Sequence, residues 1–193
     1  MLKIAITGNI ASGKSTVENF FEEKGYPVLD TDMVTHDLLK VKKLQEQIIK
    51  AFSGYDILEN EEISRPKLGK IVFEDKDLRK KLENIVHPLV KTEIGRFFNQ
   101  IKGKIALVSI PLLFETNMQN LFDKVILIYS DDKIRLERLM QRNGLGLDDA
   151  KTRMKSQMGQ DEKIALADYV VYNNKSLEDL NFALNLIEKE LNF

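Results

Sequence analysis

Residues 3–16 read KIAITGNIASGKST, and this stretch decides the fold of the chain. Its first part, Lys3 to Thr7, is mostly apolar and meets a glycine, which predicts a buried strand. The part from Gly8 to Ser15 matches the pattern G-x-x-x-x-G-K-[ST] without a gap. Helical spacing of apolar residues follows from Lys14 to Lys24. A strand, a glycine-containing loop and a helix in this order predict a loop whose backbone N–H groups cradle phosphates.

Two side chains of this loop have predicted roles in holding a triphosphate. Lys14 is expected to reach the β- and γ-phosphates, and the Ser15 hydroxyl is expected to bind Mg²⁺. The alternative is a glycine-containing turn in a Rossmann-like fold that binds another ligand. The strand and the helix lie where phosphate binding needs them, so we favour the phosphate loop.

Four further apolar runs predict strands, and helical patterns separate them. This alternation predicts an α/β fold of three layers, in which helices cover both faces of a five-stranded parallel sheet. The stretch from Met33 to Ile101 is mostly helical and too long for one crossover, which predicts an inserted subdomain. Pro88 is expected to kink or split the long helix in that insertion. The four runs are Pro27–Leu29, Ile105–Ile110, Lys124–Tyr129 and Tyr169–Tyr172.

Composition narrows the class of protein. The 193 residues suit one domain with insertions, and the net charge of −1 gives no general attraction to nucleic acid. The chain has no cysteine, which excludes disulfides, cysteine–zinc sites and thiol catalysis. The sequence shows no secretory signal and no apolar run of membrane-spanning length, so we expect a cytoplasmic protein that does not bind membranes.

The missing signatures point to a kinase for small molecules. No aspartate has a glycine three residues later, and Asn174-Lys175-Ser176-Leu177 lacks the final aspartate of a guanine-binding motif. No apolar run ends in Asp-Glu, as it does in many ATPase motors.

Asp30 and Asp32 follow the second predicted strand, where a carboxylate can take a proton from an attacking hydroxyl or orient Mg²⁺ through water. The alternative is a turn aspartate or a helix N-cap.

Arginines at helical spacing predict a lid over the phosphates. Arg135, Arg138 and Arg142 share a helix face, and a glycine-containing loop and Arg153 follow. The alternative is a solvated basic face that pairs with nearby acidic residues. Arg65 either contacts a phosphate or is merely exposed. His87 has either a catalytic or a structural role, and a lone helical histidine is more often structural. The apolar residues of Leu112–Glu115 suit either a bound ligand or the core.

The whole chain resembles the dephospho-CoA kinase family through several motifs in order. Only the phosphate loop is generic, and the other motifs together are specific. They are Leu29-Asp30-Thr31-Asp32, Arg65 with Leu68 and Val72-Phe73, His87-Pro88, Pro111-Leu112-Leu113-Phe114-Glu115, Gln141-Arg142-Asn143, Arg153 with Gln157, and Ala167-Asp168 leading to Asn173.

The resemblance implies that ATP phosphorylates the ribose 3′-hydroxyl of dephospho-CoA, with Asp32 as general base and with Lys14 and Arg142 stabilising the migrating phosphoryl group. It implies a sheet order of 2-3-1-4-5, a core of about residues 1–32, 102–132 and 166–193, a CoA-binding helical subdomain of about 33–101 and a lid of about 133–165. The implied ATP-binding residues are Gly8, Ala11, Ser12, Gly13, Lys14, Ser15, Thr16, Arg138 and Asn173. The implied acceptor-site residues are Asp30, Arg65, His87, Leu113, Phe114 and Glu115.

Two residues depart from the family's loop. Asn9 and Ala11 stand where the family has glycines, and we expect them to tune loop geometry without loss of activity. We expect Mg²⁺ to act with ATP and the protein to be a monomer or a weak homo-oligomer. The alternatives are another small-molecule kinase, for a nucleoside monophosphate or a sugar acid, and a nucleotide-binding module without transfer chemistry.

Overall fold

A computed structural model describes residues 1–191 of the chain. Asn192 and Phe193, which the sequence assigns to the core, lie outside the described residues. The chain forms two compact units, of which the first joins Met1–Asp30 to the chain from Gln100 onward and the second is Thr31–Asn99. The elements in chain order are β1 (Leu2–Gly8), α1 (Lys14–Glu23), β2 (Val28–Asp30), α2 (Thr31–Leu38), α3 (Lys42–Ala51), β3 (Leu58–Glu59), β4 (Glu62–Ile63), α4 (Arg65–Glu74), α5 (Lys76–Gln100), β5 (Ile105–Ser109), β6 (Lys124–Tyr129), α6 (Asp132–Asn143), α7 (Leu147–Lys155), α8 (Gln160–Ile164), β7 (Tyr169–Tyr172) and α9 (Leu177–Glu190).

A five-stranded parallel sheet forms the centre of the first unit, with the order β2-β5-β1-β6-β7. Counted among the strands of this sheet alone, the order is 2-3-1-4-5, which confirms the predicted topology. In the register of the sheet, Ser109 at the end of β5 pairs with Ile6 on one side and with Asp30 on the other. The ends of β1, β5 and β2 therefore lie side by side.

The core of the first unit lies between the sheet and the helices packed against it. Ile4, Ile6, Leu107 and Ile126 of the central strands are fully buried, as expected of strands covered on both faces. Val17 and Phe21 of α1 and Leu180 and Leu184 of α9 join the same cluster. In each helix these residues lie four positions apart, so each helix turns one apolar side toward the sheet. The packing holds the start of α1, and with it the preceding loop, at the edge of the sheet.

The second unit is mostly helical and corrects one prediction from the sequence. Helix α5 runs without a break for 25 residues although Pro88 lies inside it, so a split at Pro88 is wrong, whereas the alternative of a kink stays a prediction. Proline removes only one backbone donor. Burial of Val86, Val90, Ile94 and Phe98 along one side of the helix compensates for that loss.

The hairpin β3–β4 is an element that the sequence did not predict. Its strands have two residues each, and Asn60 and Glu61 between them have φ angles of 49° and 65°. Positive φ at both central residues is the geometry of a type I′ turn, whose usual sequence signal is Asn-Gly. Glu61 takes the place of that glycine, so the signal is absent.

Among residues 1–191, no helix is long and apolar enough to cross a membrane.

Candidate active site

The loops that follow the parallel strands of the first unit meet at one edge of the sheet. The loop from Asn9 to Gly13 follows β1, Ile110 follows β5, Ser130 follows β6 and Asn173 follows β7. Open α/β sheets bind their ligands at this carboxyl edge. The geometry therefore places the predicted phosphate loop where a ligand is expected.

The loop before α1 has the backbone arrangement of an anion site. The Ser12 N–H donates to the Asn9 carbonyl at 3.0 Å, and the Thr16 N–H donates to the Gly13 carbonyl at 3.0 Å. Helix α1 begins at Lys14 and no side chain caps it among the described residues. The first N–H groups of a helix have no partner within the helix, and the helix dipole favours negative charge there. The start of α1 can therefore hold phosphate oxygens.

Both glycines of the motif are required by their surroundings. A Cβ on Gly8 would lie 2.5 Å from the Ser12 hydroxyl oxygen and 2.8 Å from the Ile128 carbonyl oxygen. Gly13 has a φ of 94°, and a Cβ there would lie 2.1 Å from the Asn173 amide nitrogen. Any larger residue at either position would displace the loop.

Residues far along the chain stabilise the first part of the phosphate loop through hydrogen bonds. The Ile10 N–H donates to Gln157 Oε1 at 2.7 Å, and Arg135 Nε donates to the Ile10 carbonyl at 3.1 Å. The amide of Asn9, which is 4% exposed, donates to the Met158 carbonyl at 2.8 Å. Asn9 thus makes a tertiary hydrogen bond that glycine lacks at this position.

Ala11 is the second departure from the family's loop, and its φ of 62° is left-handed. An L-residue pays about 1–2 kcal/mol for this conformation, whereas glycine enters it freely but loses about 0.5–1 kcal/mol of chain entropy on folding. We therefore expect Ala11→Gly to raise the free energy of unfolding by about 0.5–1 kcal/mol, measured by urea unfolding.

The matched control for Ala11→Gly is Ala183→Gly in the interior of α9. This control is expected to lower the free energy of unfolding by about 1 kcal/mol, because the helical backbone there gains nothing from glycine. A loss of stability in both variants would contradict the account of strain at Ala11.

Two predicted ATP-binding residues, Arg138 and Asn173, contact each other next to the phosphate loop. The Asn173 amide donates to the Ser12 carbonyl at 2.8 Å, and Arg138 Nη2 donates to the Asn173 carbonyl at 3.1 Å. The Ser130 hydroxyl, which sequence reasoning missed, lies within hydrogen-bond distance of the carbonyls of Ser12 and Asn173, at 3.1 and 2.8 Å. The structure thus brings both predicted residues to the phosphate loop.

The Lys14 ammonium lies among polar groups at the base of the loop. It donates to Glu18 Oε1 at 2.6 Å and to the Ser109 hydroxyl at 2.5 Å. Sequence reasoning missed Glu18 and Ser109, although Glu18 lies one helical turn after Lys14. The next two residues, Ser15 and Thr16, are exposed at the first turn of α1.

Asp30 and Asp32 fall on either side of the boundary between the two units. Asp30 is the last residue of β2. Helix α2 begins at Thr31, earlier than predicted, so Asp32 lies in its first turn with an exposed side chain. A carboxylate in the first turn of a helix also interacts favourably with the helix dipole. The catalytic role of Asp32 stays a prediction.

The segment after β5 carries three residues assigned to the acceptor site by resemblance. Leu113 and Phe114 are 0% and 4% exposed. Glu115 Oε1 lies 2.9 Å from the ammonium of Lys163, a fully buried residue, and accepts a hydrogen bond from the Met158 N–H at 3.0 Å. Glu115 thus ties this segment to the residues that brace the phosphate loop. The acceptor-site roles of all three residues stay predictions.

The arginines on one face of α6 differ in their burial and in their partners. Arg135 is 2% exposed and donates to the Ile10 carbonyl of the phosphate loop, and its part in a lid stays a prediction. Burial lowers the pKa of its guanidinium, and the nearby Asp132 opposes that shift. Arg142 lies in an exposed position near the end of α6, where its Nε donates to Asn143 Oδ1 at 3.0 Å. The position of Arg142 leaves its predicted role open.

Arg65 and His87 belong to the second unit. Arg65 is the first residue of α4 and is exposed, whereas His87 lies on α5 and is half-buried. Burial lowers the pKa of the His87 imidazole, while Glu83 raises it and Lys91 lowers it further. The imidazole is therefore neutral at pH 7. The sequence left both residues undecided, and their contacts with an acceptor stay predictions.

The lowered pKa of His87 predicts that stability depends on pH. An unfolded histidine takes up a proton near pH 6.5, whereas the folded one does so at lower pH. Below about pH 6.5 the unfolded state binds more protons, so the free energy of unfolding falls as the pH falls through this range.

Urea unfolding between pH 7.5 and 5.5 measures this dependence. We expect His87→Gln to flatten the decline, because glutamine has no proton to gain. Both proteins keep His36, so their difference isolates His87. Parallel curves for the two proteins would show that His87 does not carry the effect.

The fold and the loop define the class of protein to which the chain belongs, the P-loop kinases. Shikimate kinase from Acinetobacter baumannii shares this fold with a TM-score of 0.55 at 15% identity, over 100% of this chain and 94% of that chain. The family model of dephospho-CoA kinase matches residues 2–179, and the chain belongs to this family.

Two relatives have the same extent as this chain. A dephospho-CoA kinase from Oceanobacillus iheyensis is 42% identical over 97% of both chains. The solved structure of dephospho-CoA kinase from Campylobacter jejuni has a TM-score of 0.72 at 33% identity, over 98% of this chain and 96% of that chain. The similarity therefore includes the strands, the loop and the insertion.

Proposed function

We propose that this chain transfers the γ-phosphoryl group of ATP to the ribose 3′-hydroxyl of dephospho-CoA, which gives coenzyme A and ADP. One observation carries the proposal: a complete phosphate loop, with Lys14 at the base of its helix, in a chain of the dephospho-CoA kinase family. This reaction is the last step of coenzyme A biosynthesis.

The first unit supplies the ATP site. The residues from Ala11 to Thr16 hold the phosphates through backbone N–H groups, and Lys14 contacts the β- and γ-phosphates. Arg138 and Asn173 contact the nucleotide, and the hydrogen bonds that link Arg138 to Asn173 and Asn173 to the loop support this role. Gly8 and Gly13 serve this site by leaving room for the loop.

The chemical step needs a base, and we assign that role to Asp32. Its carboxylate takes the proton of the 3′-hydroxyl as the oxygen forms a bond to the γ-phosphorus. The bond from that phosphorus to the bridging oxygen of ADP breaks in the same displacement. Lys14 and Arg142 stabilise the charge on the phosphoryl oxygens during transfer. An exposed carboxylate at Asp32 and an exposed guanidinium at Arg142 suit groups that must meet a ligand.

The donor set at the start of α1 fits Mg²⁺. The exposed Ser15 hydroxyl follows directly after Lys14, and Mg²⁺ in kinases takes few protein ligands because phosphates and waters complete its octahedron. Ser15 would hold the ion beside the β- and γ-phosphates. The ion would neutralise phosphate charge and so lower the barrier to transfer.

The acceptor site and the domain roles are part of the same proposal. We assign residues 33–101 to binding of the CoA portion and residues 133–165 to a lid. The acceptor contacts are assigned to Asp30, Arg65, His87, Leu113, Phe114 and Glu115. The family resemblance of the motifs containing these residues supports the assignment. Location in the cytoplasm and a monomeric or weakly oligomeric state stay predictions from the sequence.

A panel of acceptors tests the function. The purified chain is incubated with ATP, Mg²⁺ and one of dephospho-CoA, a nucleoside monophosphate or gluconate, and ADP release is measured. We expect ADP only with dephospho-CoA, together with coenzyme A as the second product. Turnover of another acceptor instead would make the chain a different small-molecule kinase. ATP binding without turnover of any acceptor would make it a nucleotide-binding module.

A further inference from the structure

Lys14 is held by an acidic residue, Glu18, to which neither the motif nor the family resemblance assigns a role. Its ammonium lies 2.6 Å from Glu18 Oε1 and 2.5 Å from the Ser109 hydroxyl oxygen. The Ser109 hydroxyl also hydrogen-bonds to Glu18 Oε1, so the three side chains form a closed triangle. Ser109 is fully buried and Glu18 is 8% exposed.

The triangle has a single consistent assignment of donors and acceptors. The lysine ammonium has only donors, and the carboxylate has only acceptors. The Ser109 hydroxyl therefore donates its one proton to Glu18 and accepts from Lys14. Two of the three N–H groups of Lys14 are engaged by these contacts. The third can point to a phosphate oxygen without breaking the triangle.

Helix stability alone does not explain the pair. In an i, i+4 ion pair the acidic residue stabilises a helix better when it precedes the basic residue, and here Glu18 follows Lys14. Glu18 is also nearly buried, where a carboxylate needs a charged or hydrogen-bonding partner. The arrangement instead fixes a long, flexible side chain that otherwise samples many rotamers.

Ser109 is the last residue of β5, and the carboxylate that it contacts comes from α1. In many P-loop proteins an aspartate on a strand serves the phosphate and metal site. Here β5, the neighbour of β1, ends in Ser109-Ile110-Pro111 and supplies a hydroxyl in place of a carboxylate. Glu18 reaches that hydroxyl from the facing helix. The negative charge beside Lys14 is thus supplied by the helix.

We propose that Glu18, acting with Ser109, is a positioning residue that fixes the Lys14 ammonium for phosphoryl transfer. The inference rests on the proposed function, because it concerns the lysine of that ATP site. Fixing the ammonium before ATP binds keeps one N–H directed at the phosphates. The lysine side chain therefore loses less conformational entropy when the transition state forms.

Glu18→Gln tests the proposal because it keeps the size of the side chain and removes its charge. We expect kcat to fall about tenfold while the KM for ATP changes less than about threefold, because the ammonium still attracts the phosphates but is no longer fixed for transfer. The control is Glu22→Gln, which makes the same charge change one turn later on α1, where the side chain is exposed. Its kcat and KM are expected to stay within about twofold of wild type.

A second variant separates positioning from a structural role. The Glu18→Gln/Ser109→Asp double variant returns a carboxylate to Lys14 from the strand, at the atom that now lies 2.5 Å from its ammonium. We expect it to recover most of the lost kcat. If this variant does not fold, Ser109→Ala replaces it and is expected to lower kcat at an unchanged KM for ATP.

Three results would overturn the proposal: wild-type kcat in Glu18→Gln, a rise in the KM for ATP that accounts for the whole loss of kcat/KM, or a folded double variant with no recovery. Circular dichroism and melting temperatures establish that each variant is folded. The wild-type chain is assayed on dephospho-CoA in the same series. An inactive wild type would refute the proposed function, whereas an active wild type with an unaffected Glu18→Gln variant would refute only the role of Glu18.

Discussion

Lys14→Ala is expected to lower kcat for phosphorylation of dephospho-CoA by about 10³-fold. The ammonium lies at the base of the phosphate loop, and its charge is the main fixed positive charge that α1 brings to the phosphates. A kinase gains most of its rate by positioning the phosphoryl group and stabilising its charge. Steady-state kinetics with saturating dephospho-CoA and varied ATP measure the loss.

Removal of Lys14 also leaves Glu18 without its ion pair, so the variant needs a control for folding. Lys14→Gln keeps a hydrogen-bond donor for Glu18 and removes only the charge, and we expect a similar loss of kcat from it. Lys189→Ala on α9 removes an exposed lysine from the same unit and is expected to leave kcat unchanged. Activity of a folded Lys14→Gln variant within tenfold of wild type would contradict the phosphate-loop assignment.

Asp32→Asn is expected to lower kcat by about 10²–10⁴-fold and to change the affinity for ATP much less. Asparagine has nearly the same shape as aspartate but cannot take the proton of the 3′-hydroxyl. The acceptor oxygen must then attack while it still carries its proton. Turnover assays give kcat, and calorimetric titration with a non-hydrolysable ATP analogue gives the dissociation constant.

The control for Asp32→Asn is Asp37→Asn in the same helix. Asp37 is exposed and pairs with Lys40 at 2.8 Å on the surface, and such pairs contribute little to stability. This variant is expected to behave as wild type. Equal losses of kcat and ATP affinity in Asp32→Asn would assign Asp32 to metal or structural contacts and would contradict its role as the base.

Local patterns carried most of the information on the fold. The strands at residues 124–129 and 169–172 fall where the sequence predicted them, because each is a short run of apolar residues, which is typical of a buried strand. The hairpin β3–β4 was missed because its four strand residues are too few to show a period. The continuity of α5 through Pro88 was missed because a proline rule counts one lost hydrogen bond and does not count the packing along the rest of the helix.

In the candidate site, too, the sequence revealed the residues that are close together along the chain and missed their distant partners. The residues of the loop were found in the sequence because they are consecutive and a phosphate needs them in that order. The partners of those residues come from distant parts of the chain. Gln157, Ser130 and Ser109 contact the loop from 147, 118 and 95 residues away along the chain.

The amino-acid sequence by itself determined the order of strands and helices, the phosphate loop and the family. Those features depend on spacing and residue type over short distances. Only the tertiary structure decided that Arg135 braces the loop, that Glu115 pairs with Lys163 and that Glu18 holds Lys14. Each of these contacts depends on which side chains the packed sheet and helices bring within hydrogen-bond distance, and spacing along the chain does not encode that proximity.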